Sequence, residues 1–329
     1  MTISTHLNRS SEECSGTDVV IIGSGISGTL AAIVLGRAGF RLCLVDRNAI
    51  YPQDFRAEHL DGSQIDQLRR LGLLESLTTG LYRGELVTIA RYGRVVGAAE
   101  TINFGQRYES LVNRARANLP SNVKVLTGRV TAIEATDTIQ RVTTADGRCI
   151  KSRLVILATG QGYSLCRQAG ITRRVVRRSH SLTFGFDMEP VNRDTFEHSF
   201  LIYQPERIRD RIDYLSTFTL GKTMRANLFT YRDYRESWTK AFISDPTAVL
   251  KEILPGLTAA MGPFRAVGPV AARPIDLYRS ENYRRDGIVV IGDAFQSTCP
   301  ATGMGMVRLL TDVERLSAVH LPAWLESPG

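Results

Sequence analysis

Two glycine-rich segments, far apart in the 329-residue chain, have the residue types needed to bind a large phosphorylated ligand. The first, Gly23-x-Gly25-x-x-Gly28, follows an apolar, β-branched run that begins after Asp18. In a strand–turn–helix unit of this kind, the first glycine permits the turn and the second lets a pyrophosphate approach the backbone. The third glycine allows close packing of helix and strand. Because the helix N-terminus offers free N–H groups and partial positive charge, this segment predicts a diphosphate site.

Two aspartates follow apolar runs, where their carboxylates can accept hydrogen bonds from sugar hydroxyls. Asp46 ends a second predicted strand, 18 residues after Gly28, close to the roughly 20 residues expected for a carboxylate that binds an adenosine ribose. Asp293 directly follows the apolar run 287–292 and precedes Pro300-Ala-Thr-Gly303-Met-Gly305, a second helix start without bulky side chains. A single large cofactor that is held at two places needs two such contact regions.

Apolar periodicity predicts the elements that must position these residues. Helical spacing continues from Gly28 to about Arg37, and further helices are predicted over 61–74, 106–118 and after Gly305. Strands 123–135 and 138–150 are predicted to form a hairpin, with a turn signal at Asp146-Gly147, and 154–157 to form a buried strand. The segment 51–59 is expected to be a loop. From about Ser179 the pattern changes to short strands, then to two helices at 234–243 and 247–254, and then to a stretch rich in Gly and Pro at 256–274.

Composition indicates an ordinary globular protein, with 43% hydrophobic and 22% charged residues. The net charge of +8 comes mainly from arginines spread along the chain, which favours a solvated face or attraction for anionic ligands, and we expect no nucleic-acid partner. No apolar run approaches the roughly 18–20 residues of a transmembrane segment, and the polar first 17 residues lack the apolar centre of a signal peptide. The scattered cysteines predict a reducing, cytoplasmic location; they are Cys14, Cys43, Cys149, Cys166 and Cys299.

Taken together, these motifs resemble the class A FAD-dependent monooxygenases, the p-hydroxybenzoate hydroxylase-like group. The resemblance rests on the first glycine segment with Asp46-Arg47, on Gly292-Asp293-Ala294, on the Pro300–Gly305 segment, and on Asp312-Val-Glu-Arg-Leu316. It implies an α/β fold in which a Rossmann-like FAD-binding domain carries an inserted, mainly antiparallel β-sheet substrate domain. The predicted FAD-binding domain comprises 1–80, 104–178 and 271–329, and the substrate domain comprises 81–103 and 179–270.

The resemblance also implies an activity. A monooxygenase of this group, acting as a hydroxylase or epoxidase, would insert one oxygen atom from O₂ into an aromatic or unsaturated small molecule via a C4a-hydroperoxyflavin. Three alternatives stay open: a flavin-dependent reductase or dehydrogenase, a halogenase of the same fold, and a non-catalytic flavin-binding protein. A halogenase would require a Trp-x-Trp-x-Ile-Pro stretch, whereas Trp238 and Trp324 are far apart.

Residue roles follow from the same resemblance. In the adenine half of FAD, the glycines and the two amides after Gly25 would seat the pyrophosphate, Asp46 would bind the ribose, and Arg47 and the Val130 backbone would meet the adenine. The residues of this half are Gly23, Gly25, Ile26, Ser27, Gly28, Asp46, Arg47 and Val130. In the flavin half, Arg56 and Gln106 would reach the cofactor and Asp293 would hold a ribityl hydroxyl, while the late glycine segment would place N–H groups near flavin N1 and O2. The residues of this half are Arg56, Gln106, Gly292, Asp293, Pro300, Gly303, Met304, Gly305 and Met306.

The segment that bears on the electron donor departs from the family pattern. The family's Asp-Gly segment, which bears on NAD(P)H, matches Ala158-Thr159-Gly160, with threonine in place of aspartate. The expected electron source is therefore NAD(P)H or a separate flavin reductase.

No catalytic residue is assigned from the sequence. His59, His180 and His198 are candidates by residue type alone, and the sequence has no Gly-x-Ser-x-Gly, no His-Glu-x-x-His and no clustered cysteines, so we expect no metal. An apolar substrate pocket is expected from aromatic residues of the second domain, since the site must exclude water. These aromatic residues are Phe184, Phe186, Phe200, Tyr203, Phe218 and Phe229.

Overall fold

Three β-sheets and ten α-helices make up the regular structure of residues 16–326, the part of the chain that the computed structural model describes. The strands are β1 (Val19–Ile22), β2 (Leu42–Asp46), β3 (Ala57–Asp61), β4 (Arg83–Arg91), β5 (Arg94–Arg107), β6 (Val123–Thr127), β7 (Val130–Glu134), β8 (Gln140–Thr144), β9 (Cys149–Ser152), β10 (Leu154–Leu157), β11 (Thr172–Pro190), β12 (Phe200–Tyr203), β13 (Ile212–Leu220), β14 (Thr223–Thr230), β15 (Phe264–Glu281) and β16 (Ile288–Val290). The helices are α1 (Ile26–Arg37), α2 (Gly62–Arg70), α3 (Leu74–Thr78), α4 (Tyr108–Ala117), α5 (Ser164–Gln168), α6 (Ser237–Ser244), α7 (Pro246–Ile253), α8 (Leu257–Met261), α9 (Met304–Arg315) and α10 (Leu321–Glu326).

The first sheet is parallel, in the order β16-β10-β1-β2-β6. β1 lies at its centre and is almost fully buried, which explains its continuous run of valine and isoleucine. Ile22 pairs with Val45 on one side and with Leu157 on the other. The carboxyl ends of β1, β2 and β10 therefore meet at one edge, where ligands bind in open α/β sheets.

The second sheet has the order β15-β11-β14-β13-β12-β4-β5-β3, and its pairs are antiparallel except for β12 with β4. Helices α6, α7 and α8 cover one face, where Phe184, Leu228 and Phe242 belong to one buried apolar cluster. The other face contacts the site segments of the first region: the Arg225 guanidinium donates to the Phe55 carbonyl, and the Tyr214 hydroxyl donates to the Ala301 carbonyl at 2.7 Å.

The predicted α/β class, with a parallel sheet and a mainly antiparallel sheet, is confirmed. Three of the predicted domain limits fall inside continuous strands, since β5, β11 and β15 cross positions 103, 178 and 270. β11 and β15 pair along most of their length, from Thr172 opposite Glu281 to Pro190 opposite Phe264. The division into two domains thus stays a prediction, and these paired strands connect the two regions.

One local prediction is confirmed in part and another is wrong. The predicted hairpin forms between β7 and β8, which lie inside 123–135 and 138–150, and β8 also pairs with β9; β6 instead joins the parallel sheet beside β2. The predicted turn at Asp146-Gly147 lies between β8 and β9. The segment 51–59, expected to be a loop, contributes β3, because its pairing with β5 supplies backbone hydrogen bonds that its weak apolar pattern did not indicate.

No helix among residues 16–326 has the length and apolarity required to cross a membrane. Within residues 16–326 no disulfide links Cys43, Cys149, Cys166 or Cys299. Cys14 and most of the polar N-terminal stretch lie outside the described residues.

Candidate functional site

The first glycine segment forms the turn between β1 and α1. Gly23 has φ +99°, and a Cβ there would lie 2.5 Å from the Ala158 carbonyl oxygen; at Gly28 it would lie 1.8 Å from the Gly23 carbonyl oxygen. At Gly25 the nearest atom to an added Cβ is the Tyr108 hydroxyl at 4.0 Å, and no side chain caps α1. Packing therefore requires Gly23 and Gly28, whereas the surface around Gly25, Ile26 and Ser27 leaves helix N–H groups accessible to an anion.

Asp46, Arg47 and Val130 lie at the carboxyl edge of β2 and β6. Asp46 accepts N–H groups from Ser24 at 2.7 Å and from Asn48 at 2.8 Å, so it also fixes the glycine turn. Its backbone oxygen accepts the Gly128 N–H at 2.7 Å, two residues before β7 begins at Val130. Arg47 is exposed.

Arg56 and Gln106 lie near one end of the pairing of β3 with β5. Gln106 is opposite Glu58, and the Arg56 carbonyl, directly before β3, accepts the Tyr108 N–H. Arg56 is bonded to Asp54 and to the Tyr51 hydroxyl, and its guanidinium stacks on the Tyr108 ring at 3.7 Å. Gln106 is only 2% exposed, yet neither atom of its side-chain amide has a hydrogen-bond partner among residues 16–326. Because buried amides are almost always paired, this one fits a ligand that lies along the cleft.

The segment that contains Gly292 and Asp293 lies against the first glycine segment. Gly292 has φ +61°, and a Cβ there would lie 2.4 Å from the Ser27 hydroxyl, so the two glycine segments contact each other directly. The Gly292 N–H donates to the Asp312 carboxylate at 3.1 Å, and the Asp293 carbonyl accepts the Tyr278 hydroxyl at 2.9 Å. These contacts fix Gly292 and Asp293 beside the N-terminus of α1.

Pro300 to Thr302 form a short 3₁₀ turn, and Gly303, with φ +65°, leads into α9. The Gln64 side chain donates to the Gly303 carbonyl at 3.1 Å and so ties α2 to this turn. Met306 is buried, Met304 is half exposed, and a Cβ on Gly305 would meet nothing within 4 Å. The start of α9 is therefore an open surface.

Three arginines surround Asp293. Burial raises the pKa of this carboxyl, whereas Arg308, Arg56 and Arg173 act to lower it. The Arg308 guanidinium lies 3.6 Å from the carboxylate and donates to the Gln296 carbonyl, and Arg173 stacks on the Tyr278 ring at 3.9 Å. The site therefore holds fixed positive charge next to a carboxylate.

Several residues of the site were not identified from the sequence. Arg173 belongs to a basic run that was expected to be solvated, and only its aromatic neighbours in the fold reveal its burial. Glu58 alternates with Arg56 along β3, a period-2 signal that was visible but was assigned to a loop. Tyr108 and Arg308 had no sequence signal that distinguished them from ordinary helix residues.

The predicted aromatic pocket is wrong for Phe184 and Phe186, which are fully buried against Phe242 under the helices. An open cavity of about 480 Å³ lies instead at one end of the interior strands β4, β12 and β13 of the second sheet, with Ile202, Tyr214 and Tyr231 among its walls and none of the six predicted aromatics. Among the histidines, His59 stacks on Phe200 at 3.8 Å, and burial lowers its pKa.

Within residues 16–326, no three His, Cys, Asp or Glu side chains are grouped in a way that could hold a metal ion.

A family model described as FAD binding domain matches residues 16–318. Conditioned medium factor receptor 1 of Dictyostelium discoideum is 22% identical over 95% of this chain and 65% of its own length. Squalene monooxygenase of Rattus norvegicus is 25% identical over 93% of this chain and 55% of its own length. Tetracycline 7-halogenase of Kitasatospora aureofaciens is 30% identical over 50% of this chain and 35% of its own length. The chain thus spans less than two thirds of each of these relatives.

Solved structures show the same fold. The p-nitrophenol 4-monooxygenase PnpA from Pseudomonas putida DLL-E4 has a TM-score of 0.76 at 18% identity, covering 94% of this chain and 80% of that one. The flavin-dependent brominase Bmp2 has a TM-score of 0.74 at 18% identity, with the same coverage.

Proposed function

The chain belongs to the FAD binding domain family, and from that premise we propose that it is an FAD-dependent monooxygenase. It would insert one oxygen atom from O₂ into an aromatic or unsaturated small molecule. The observation that carries this proposal is the contact of Ser27 with Gly292, which joins both glycine segments into one continuous surface. When bound, FAD would supply the redox chemistry, and the chain would supply position, charge and exclusion of water.

The proposed contacts follow the cleft from end to end. Asp46, Arg47 and Val130 would hold the adenosine, and the α1 N-terminus at Gly25 would hold the pyrophosphate. Gln106 and Asp293 would contact the middle of the cofactor, where the unpartnered amide of Gln106 supports the assignment. The open start of α9 at Gly303–Met306 would stabilise negative charge on the flavin ring by about 0.3–2 kcal/mol.

We assign the substrate to the 480 Å³ cavity beside Tyr214. Tyr214 lines this cavity and also donates to the Ala301 carbonyl, so it connects the cavity to the flavin end of the site. The volume lies within the 300–1,000 Å³ that is usual for small-molecule pockets. Its walls combine aliphatic and aromatic side chains with the charged Arg91, Arg211 and Asp213, which supports an aromatic or unsaturated substrate that also carries polar groups.

The electron source is NAD(P)H or a separate flavin reductase. Thr159 stands where an aspartate would favour direct use of NAD(P)H, and its hydroxyl donates to the Gly162 carbonyl at 2.9 Å within its own turn. We also propose a cytoplasmic location, which the absence of disulfides among the four cysteines of the described residues supports.

A halogenase is the second candidate, because tetracycline 7-halogenase is 30% identical over half of this chain. Against it, Trp238 packs on Phe184 and Phe242 under the helices and faces away from the cleft.

The test begins with the purified protein and its visible spectrum. A bound flavin spectrum is expected, with O₂ consumption coupled to an oxygenated product when a phenol, indole or isoprenoid substrate is supplied. Anaerobic bleaching by NADH or NADPH alone would identify the donor, and a brominated product formed with bromide would favour the halogenase.

In the same preparation, Asp293→Ala is expected to yield largely colourless protein, and the exposed Asp137→Ala should stay yellow. Full flavin content in Asp293→Ala would refute the assignment of Asp293.

A further inference from the structure

The carboxyl of Glu58 faces the cofactor cleft. In β3 it lies directly opposite Gln106 of β5, and it shares its face with Arg56 and Leu60 because strand side chains alternate. Arg56, on the same face, stacks on the ring of Tyr108, whose hydroxyl is the nearest atom to a Cβ added at Gly25, so this face looks toward the α1 N-terminus. His59, the next residue, points the other way and stacks on Phe200.

Glu58 lies beside a buried amide that lacks a partner. Neither atom of the Gln106 side-chain amide is hydrogen-bonded within residues 16–326, and the half-buried Glu58 directly opposite it has no hydrogen-bonding group among them. Because a buried amide is rarely left unpaired, a ligand with polar atoms is expected to cover Gln106, and Glu58 would then lie within reach of the same ligand.

The charges around Glu58 favour its neutral form. Arg56 is the cation that faces it, and that guanidinium is already bonded to Asp54 and Tyr51. Asp54 and Asp293 both repel a negative charge on Glu58, and Tyr108 contributes a neutral ring. Burial is the largest effect and, with these repulsions, raises the pKa of Glu58 to about 7.

Asp293 provides the contrast. Its carboxyl is also buried, but Arg308, Arg56 and Arg173 all act to lower its pKa. Of two carboxyls in one cleft, the one with less positive compensation takes the proton. A diphosphate brought into the cleft adds negative charge and strengthens this preference.

We propose that Glu58 contacts bound FAD as a neutral carboxylic acid, so that FAD binding is coupled to proton uptake by this side chain. The inference rests on the proposed cofactor. It adds a proton-linked contact that the glycine segments do not supply, and a protonated carboxyl can donate a hydrogen bond to a phosphate, ribityl or flavin oxygen.

The protonation of Glu58 sets how FAD affinity changes with pH. Well below about pH 7 Glu58 is already protonated, so FAD affinity does not change with pH. Above about pH 7 the binding of FAD requires Glu58 to take up a proton, so the affinity falls as the pH rises. The Kd of the wild-type protein for FAD is expected to rise roughly tenfold between about pH 7 and 8.5.

The experiment is a titration of flavin-free protein with FAD by fluorescence quenching over this pH range at constant ionic strength. Glu58→Gln, which is permanently neutral, should keep a low Kd that does not change with pH. The exposed Glu134→Gln should keep the wild-type slope. Calorimetry of the wild type at about pH 8, in buffers of different ionisation enthalpy, should show an uptake of about one proton per FAD.

The outcomes are distinguishable. FAD binding with no pH slope and no proton uptake would overturn the role of Glu58 and leave the proposed function intact. A slope that survives in Glu58→Gln would assign the proton to another group and also overturn the inference. Failure of the wild type to bind FAD at any pH would overturn the cofactor assignment and the inference together.

Discussion

The N-termini of α1 and α9 are both lined with glycine, but the glycines serve different purposes. At α1, Gly28 has no room for a side chain, because an added Cβ would lie 1.8 Å from the Gly23 carbonyl oxygen. At α9, nothing lies within 4 Å of a Cβ added to Gly303 or Gly305. The protein itself requires glycine at Gly28. At Gly305 it does not, and the absence of a side chain there suits a ligand.

This difference separates two kinds of glycine that a motif search treats alike. Gly25 belongs to the second kind despite its place in the first motif, since its Cβ would have 4.0 Å of clearance and its backbone is extended. The comparison therefore predicts which substitutions unfold the protein and which affect only cofactor binding.

The largest effect is expected for Gly28→Ala. The methyl group would force α1 away from the β1 turn, and overpacking against backbone costs about 3 kcal/mol or more. Urea denaturation should show a large loss of stability or no folded protein. The control is Gly97→Ala in β5, where an added Cβ also meets nothing within 4 Å; equal stability of both variants would contradict the packing argument.

Gly25→Val comes next. We expect the folded protein to lose about 1 kcal/mol or less, since valine is a poorer N-cap than glycine but has space. FAD affinity should fall by about 100-fold or more, because the side chain would occupy the place of the pyrophosphate. Denaturation and flavin titration measured together test this, and an unchanged Kd would show that the anion binds elsewhere.

Four strands of the parallel sheet, β1, β2, β10 and β16, could be predicted from the sequence because each is a continuous apolar run. β6 could not be placed in this sheet, since its apolar residues are interrupted by Lys124 and several of its side chains are exposed. The limits of β11 and β15 could not be predicted either. Their basic, Gly- and Pro-containing segments are held in strand conformation by pairing with each other over long sequence distances, and local patterns carry no information about such pairing.

Among the site residues, those with a local sequence signal could also be predicted, whereas those placed by long-range contacts could not. Asp46 and Asp293 were predicted because a carboxylate at the end of a buried strand is unusual in local sequence, and the structure puts both at the predicted edge. Arg173 and Tyr278 were not, since their stacking joins β11 to β15 across more than one hundred residues. The Arg225 contact with Phe55 has the same origin, because it joins the second sheet to the segment before β3.

The smallest effect, and the sharpest test of the comparison, is expected for Gly305→Ala. Without a ligand this substitution should be harmless or stabilising by up to about 1 kcal/mol, because alanine favours helix over glycine and the site is open. With FAD it should cost roughly tenfold in affinity, or about 1.4 kcal/mol, since the methyl group would intrude on the surface assigned to the flavin ring. A higher melting temperature without FAD combined with a weaker Kd would show that this glycine is kept for the ligand. If Gly305→Ala instead gains stability and binds FAD as tightly as Gly97→Ala does, the open start of α9 does not contact the cofactor and the contrast with α1 fails.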